Sequence, residues 1–149
     1  MNGEPQSAKL LETYSPALSV SIIIPTRNRS AILALCLNAL PAGTRELRPP
    51  EVIVSDDCSS DDTRKTVEEF RDASGWNVRY LRQRRPMGAN AARNAGLSVA
   101  GGEIIVFIDD DVLVTEGWLC KLLAGLSKEC PVVSGPVQLT LDGSIVAKG

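Results

Sequence analysis

Glu103-Ile104-Ile105-Val106-Phe107-Ile108-Asp109-Asp110-Asp111 decides how this sequence folds. Residues 103–108 (EIIVFI) are apolar and rich in β-branched and aromatic side chains, which predicts a strand. The run is continuous, which predicts burial on both faces, as in a parallel sheet. Gly101-Gly102 precedes it and three aspartates end it. Two earlier stretches share this layout. Residues 20–24 (VSIII) run into Pro25-Thr26-Arg27-Asn28, and residues 51–55 (EVIVS) run into Asp56-Asp57.

Helical patterns separate these strands. Ser30 is placed to cap a helix with Ile32, Leu33, Cys36, Leu37 and Leu40 at helical spacing, stopped by Pro41 and Gly43. Asp61 and Asp62 supply caps and favourable charge for a helix through Phe70 that Gly75 ends. Residues 78–81 predict a weaker third strand, and the Ala-rich residues 89–99 a helix. Thr115 is placed to cap a helix carrying Trp118, Leu119, Leu122, Leu123 and Leu126 on one face. Residues 131–141 predict one more strand, followed by a turn at Asp142-Gly143. Residues 1–17 form a polar leader, and 18–149 carry the domain. Strands that alternate with single helices are parallel with right-handed crossovers. The expected class is therefore α/β, a Rossmann-like, mostly parallel sheet flanked by helices.

Composition narrows the chemistry. The 149 residues are the size of one domain. Lys plus Arg is 16 against 18 Asp plus Glu, so the net charge of −2 argues against a nucleic-acid partner. There is no His. That removes Ser-His-Asp and Cys-His nucleophile systems and His-based zinc sites within these residues. A base must be a carboxylate or a less common group such as Lys, Cys or Tyr. Cys36, Cys58, Cys120 and Cys130 form no C-x-x-C pair and read as reduced thiols. No stretch reaches the roughly 18 apolar residues of a membrane span, and residues 1–14 are too polar for a signal peptide. The expected location is cytoplasmic, with any membrane contact peripheral.

In an open α/β sheet, ligands bind beyond the carboxyl ends of the strands. Parallel strands bring Pro25, Thr26, Arg27 and Asn28, then Asp56 and Asp57, then Asp109, Asp110 and Asp111 to one edge. Five carboxylates there repel each other, and a divalent cation would lower that cost. Carboxylate oxygens suit Mg²⁺ or Mn²⁺. Asp109 and Asp111 are two apart, so extended chain turns them to the same side. The competing reading is a solvated acidic turn. Neither G-x-x-x-x-G-K-[ST] nor G-x-G-x-x-G after the first strand is present. A receiver domain needs its acidic pair after the first strand, whereas this pair follows the second.

These residues resemble a family. Residues 20–28 (VSIIIPTRN), 51–63 (EVIVSDDCSSDDT), 88–96 (GANAARNAG) and 102–111 (GEIIVFIDDD), with Trp118-Leu119 beyond them, are similar in order and spacing to the nucleotide-sugar-binding part of a family 2 glycosyltransferase of GT-A fold. The resemblance implies a nucleotide-diphosphate sugar donor, with a uracil or thymine base the usual form. Asp57 would contact the base or ribose, and Pro25, Thr26 and Asn28 would line the same pocket. Asp109-Asp110-Asp111 would be the D-x-D-type motif, with Asp111 the foremost metal ligand and Asp109 beside it. Arg93 would lie near the nucleotide or diphosphate.

Two departures matter. Arg85-Pro86 occupies a stretch where many members place an Asn. Arg82, Arg84 and Arg85 face either a phosphate or anionic acceptor, or simply solvent. Family members also continue into an acceptor-binding half that carries the catalytic base. No residue here matches that base, and nothing marks Glu116 or Asp142 as a substitute. The chain is therefore expected to be a donor-binding part, from a truncated or split gene, whose open face awaits a missing half or a partner. A non-catalytic nucleotide- and metal-binding module is the alternative. A nucleotidyltransferase is disfavoured by the lack of a Gly-rich, basic phosphate loop.

Overall fold

The computed structural model describes residues 19–44, 47–127, 129–135, 138–141 and 144–148. The polar leader and the Asp142-Gly143 turn lie outside them. Four strands form one sheet: β1 (Val20–Thr26), β2 (Glu51–Asp56), β3 (Val78–Arg82) and β4 (Ile104–Phe107). Their order is β3-β2-β1-β4, and every pair is parallel. Between them run α1 (Ser30–Gly43), α2 (Thr63–Ser74) and α3 (Ala89–Leu97), and α4 (Trp118–Leu123) follows.

Strand alternation sorts the side chains into two layers. Ile22, Ile24, Val52, Val54 and Val78 share one face, which packs against Leu33, Cys36, Leu37 and Leu40 of α1 and Val67 and Phe70 of α2. Leu119 and Leu123 of α4 join this core. The opposite face carries Ile23, Ile53 and Ser55 and is covered by α3. Close packing there needs Gly96, because a Cβ would stand 2.5 Å from Ile23 Cγ2.

β1 runs through Pro25, where the sequence suggested its end. In a parallel strand, alternate residues present their N and O to the same neighbour. The Ile23 carbonyl accepts the Ile108 N–H, so the Pro25 nitrogen turns to the β4 side. β4 has already stopped opposite Ile23 at Phe107, so no ladder bond is lost.

The helix starts differ from the sequence reading. Ser30 is the first helical residue rather than the cap, and its N–H donates to Asp61 Oδ2 at 2.9 Å. Asp61 Oδ1 accepts the Thr63 N–H at 3.1 Å. One carboxylate therefore satisfies orphan donors of both α1 and α2, with favourable charge at each N-terminus. Burial pushes the Asp61 carboxyl up, but the bonds from Thr63 and Ser30 outweigh it and hold it below the ordinary range. Thr115 receives the Trp118 N–H on its carbonyl, not its side chain. α1 also continues past Pro41 to Gly43, since a proline in the last turn removes only one bond.

Two strand expectations are corrected. β4 was expected to be buried on both faces, yet it is an edge strand among the described residues, with Phe107 47% exposed. Ile105 and Phe107 lie on the α3 side of the sheet, where α3 packs against β1 and β2. Residues 131–135 are irregular. β5 (Gln138–Leu141) pairs antiparallel with β6 (Ser144–Lys148) in a separate two-stranded sheet, not as a fifth parallel strand. No helix among the described residues is long and apolar enough to cross a membrane.

The turn into β4 gives a test. A Cβ at Gly102 would lie 2.5 Å from the Ser21 backbone nitrogen, whereas one at Gly101 meets only Glu51 Oε2 at 3.7 Å. Gly102→Ala is expected to lower unfolding free energy by roughly 1–3 kcal/mol. Gly101→Ala should change it by less than about 0.5 kcal/mol in the same urea titration.

Candidate functional site

The connections from β1 and from β4 leave the sheet side by side, which makes a switch point at their carboxyl ends. A cavity of about 350 Å³ opens there. β1 contributes Pro25 and Thr26, with Arg27 and Arg29 just beyond. Asp57 closes the β2 side, Asp109, Asp110 and Asp111 the β4 side, and Ala89, Ala92 and Arg93 of α3 one wall. A second cavity, about 270 Å³, lies at the other end of the strands. Its Glu51 is already tied to Ser21, Gly101 and Arg79.

The three aspartates differ in environment. Asp110 is buried, accepting from Thr26 Oγ1 at 2.7 Å and from Arg29 Nη1 at 2.8 Å. Burial pushes its carboxyl above the ordinary range; Thr26 and Arg29 pull it back, and Asp111 and Asp109 push it further up. Asp109 and Asp111 are 58% and 52% exposed at their side chains. Asp109 accepts from Arg93 Nη2 at 2.5 Å and Asp111 from Arg29 Nη2 at 3.0 Å. Asp57 is buried, and its two oxygens accept the N–H groups of Met87 at 2.6 Å and Gly88 at 2.9 Å. Gly88 permits this approach with φ of 90°. Arg27 Nη1 is 4.0 Å from Asp57 Oδ2.

Of the residues singled out from sequence, Pro25, Thr26, Asp57, Arg93, Asp109, Asp110 and Asp111 meet in this cavity. Asn28 does not line it. Its Oδ1 accepts the Ser60 N–H and its own N–H donates to Ser59 Oγ, both at 2.8 Å, which stitches the β1–α1 and β2–α2 loops together. Asp56 is fully buried and structural, holding Ser59, Tyr80 and Arg82. Arg82 donates to the Ser59 carbonyl, and the side chains of Arg84 and Arg85 are exposed. The sequence reading placed Arg27 in the cluster after β1 without giving it a role, and missed Arg29 as a lining residue. Their place directly after a strand end was the available signal. The bridge from Arg29 to residues 81 and 82 positions away was not visible in the chain.

Residues 21–144 match Glycosyl transferase family 2. The chain belongs to this family. Over 126 residues it is 31% identical to the GalNAc(5)-diNAcBac-PP-undecaprenol beta-1,3-glucosyltransferase of Campylobacter jejuni, spanning 85% of this chain and 40% of that protein. TarS 1-349 of S. aureus, solved in complex with UDP-GlcNAc, superposes with a TM-score of 0.55 at 33% identity, over 63% of this chain and 27% of that one. The mannosyltransferase PcManGT of Pyrobaculum calidifontis, solved with GDP-Man and Mn2+, shares the fold: TM-score 0.63, 23% identity, 80% of this chain and 37% of that one. The parallel sheet with flanking helices is thus the GT-A arrangement of glycosyl transferase family 2, over part of its relatives' length.

The family's divalent cation fits these residues in a limited sense. No three His, Cys, Asp or Glu side chains converge on a metal-sized space among the described residues. Two exposed carboxylates, Asp109 and Asp111, offer hard oxygen ligands at the cavity mouth. That set suits Mg²⁺ or Mn²⁺, which keep several positions for water and phosphate oxygens.

The Asp110 pair makes a pH-dependent prediction. Arg29→Met should cost about 1–3 kcal/mol at neutral pH, by stripping a buried carboxylate of its charged donor. A carboxyl with a raised folded pKa adds stability at low pH and loses it as pH rises through that pKa. Removing Arg29 raises it further, so the deficit should shrink on acidification. Urea unfolding of both proteins at neutral and mildly acidic pH checks this. A deficit that widens in acid contradicts it.

Proposed function

We propose that this chain is the donor-binding part of a glycosyltransferase that passes a sugar from a nucleotide-diphosphate sugar to an acceptor hydroxyl, with metal assistance and inversion. One observation carries the reading. An acceptor-only carboxylate, Asp57, and two exposed carboxylates, Asp109 and Asp111, flank a single cavity at the sheet's switch point, with β1 between them.

Each side of the cavity suits one part of the donor. Asp57 spends two lone pairs on Met87 and Gly88 and retains capacity to accept a base N–H or a ribose hydroxyl. Pro25 and Thr26 form the floor between the two sides, and Asn28 acts from outside the cavity by fixing the loop that carries Arg27 and Arg29. At the other side Asp111, with Asp109, would hold Mg²⁺ or Mn²⁺. Bound there, the cation supplies charge stabilisation on the departing nucleoside diphosphate. Arg93, 31% exposed at its side chain, can turn from Asp109 to a phosphate oxygen once Asp109 has another partner. The complexes of TarS with UDP-GlcNAc and of PcManGT with GDP-Man support a nucleotide-sugar donor. A uracil or thymine nucleotide is the first choice. The base that deprotonates the acceptor is assigned to no residue of this chain.

Calorimetric titration with UDP, with and without Mn²⁺, tests the reading. Binding should strengthen with Mn²⁺, and Asp111→Asn should remove at least about tenfold of that gain without lowering thermal stability. Asp57→Ala should weaken binding in both conditions. Metal-dependent binding that is unchanged in Asp111→Asn contradicts the metal assignment. An effect of Asp57→Ala confined to the metal-loaded protein contradicts the base-side assignment.

A further inference from the structure

Among the described residues, the Ser55 hydroxyl and both amide atoms of Gln83 are buried without a hydrogen-bond partner. A buried polar group has given up its bonds to water, so an unpaired one marks a missing partner. Ser55 is a single hydroxyl on the sheet face that α3 covers. Gln83 brings a donor and an acceptor together, and its position is informative.

Gln83 follows β3 directly. Its N–H donates to the Asp56 carbonyl at 2.9 Å, which carries the β2–β3 ladder one step past the Asp56–Arg82 pair. Alternation then puts its side chain on the face shared with Leu81 and Ser55, and places it one strand over from Asp57. Residues 84–88 run from Gln83 back to Asp57, where Met87 and Gly88 donate their N–H groups. Gln83 is therefore one strand over from the carboxylate that closes the β2 side of the cavity, with its amide buried behind that lining rather than part of it.

We propose that Gln83 reads the nucleobase of the donor, its amide N–H donating to a ring carbonyl whose neighbouring ring N–H donates to Asp57. This rests on the donor-site reading above. An ionised Asp57 only accepts, so it recognises an N–H. The carbonyl beside that N–H needs a donor, and the Gln83 amide is a donor with no other duty. Together they fit the –CO–NH– edge of uracil, thymine or guanine. In that pose cytosine is disfavoured, because its ring nitrogen carries no hydrogen and turns a lone pair toward Asp57. The side-chain torsions of Gln83 allow the amide to turn from the interior toward Asp57.

The test is calorimetric titration of the chain with UDP, GDP, CDP and inorganic pyrophosphate in Mn²⁺, beside Gln83→Leu and Gln83→Glu, with thermal melting as a fold control. Wild type should prefer UDP or GDP to CDP. Both variants should weaken that preferred nucleotide roughly 5- to 100-fold and move pyrophosphate by less than about twofold. Gln83→Glu should also narrow the preference over CDP, because it replaces the donor with an acceptor. Unchanged affinity in both variants overturns the Gln83 assignment and leaves the donor site standing. Equal losses for nucleotide and pyrophosphate, or a wild-type preference for CDP, also overturn it. A folded wild type that binds none of the nucleoside diphosphates overturns the donor-site reading, and Gln83 with it.

Discussion

Five carboxylates crowd the carboxyl edge of one parallel sheet, and the rest of the structure is arranged around keeping them there. Like charges at such spacing are costly in a partly buried setting. The chain answers by giving each of them a hydrogen-bond or charged partner. Asp56 takes Ser59, Tyr80 and Arg82, and Asp57 takes the backbone of residues 87 and 88. Arg29 bridges Asp110 and Asp111, and Arg93 reaches Asp109. These contacts also join the elements. Arg29 fastens the β1–α1 loop to the end of β4, Arg93 fastens α3 to it, and Asp57 fixes the start of α3. Charge compensation and loop placement are the same interactions.

That compensation changes the weight of one argument. Repulsion among aspartates suggested a cation from sequence alone. In the folded chain arginines and N–H groups already meet much of that demand, so repulsion by itself does not require a metal. The case now rests on exposure. Asp110 and Asp56 are buried and committed, whereas Asp109 and Asp111 are about half exposed and held by long, flexible arginine side chains. Such pairs contribute little stability in water and can exchange partners. A cavity with one committed side and one exchangeable side suits a ligand with a fixed recognition group and a charged diphosphate.

Much of this was legible in the sequence because it depends on local pattern. The runs at residues 20–24 and 51–55 are strands, the run at 103–108 holds one at 104–107, and the polar residues after them do share one edge. What was illegible depends on partners far along the chain. The capping of α1 by Asp61 crosses 31 residues, so Ser30 looked like the cap. The Arg29 bridge crosses 81 and 82 residues, so nothing in the sequence singled Arg29 out. The apolar run of β4 implied two covered faces, but its cover depends on neighbours that a one-dimensional pattern does not show. Residues 131–141 are apolar enough for a strand, yet whether they join the main sheet is decided by topology. Asn28 lies in the right loop, and its left-handed φ of 52° turns it toward the neighbouring loop instead of the cavity.

The proposed donor site makes one geometric claim above all: Asp109 and Asp111 would exchange their arginines for a divalent cation, leaving Arg93 free for the donor diphosphate. The most direct measurement is a crystal structure of the chain with Mn²⁺ and UDP, with anomalous scattering recorded at the manganese edge. The account predicts a single manganese peak on the Asp111 carboxylate, the diphosphate across the cavity, and Arg93 moved from Asp109 toward a phosphate oxygen. Manganese bound elsewhere, or a nucleotide outside the cavity with Arg29 and Arg93 still on their aspartates, would contradict it.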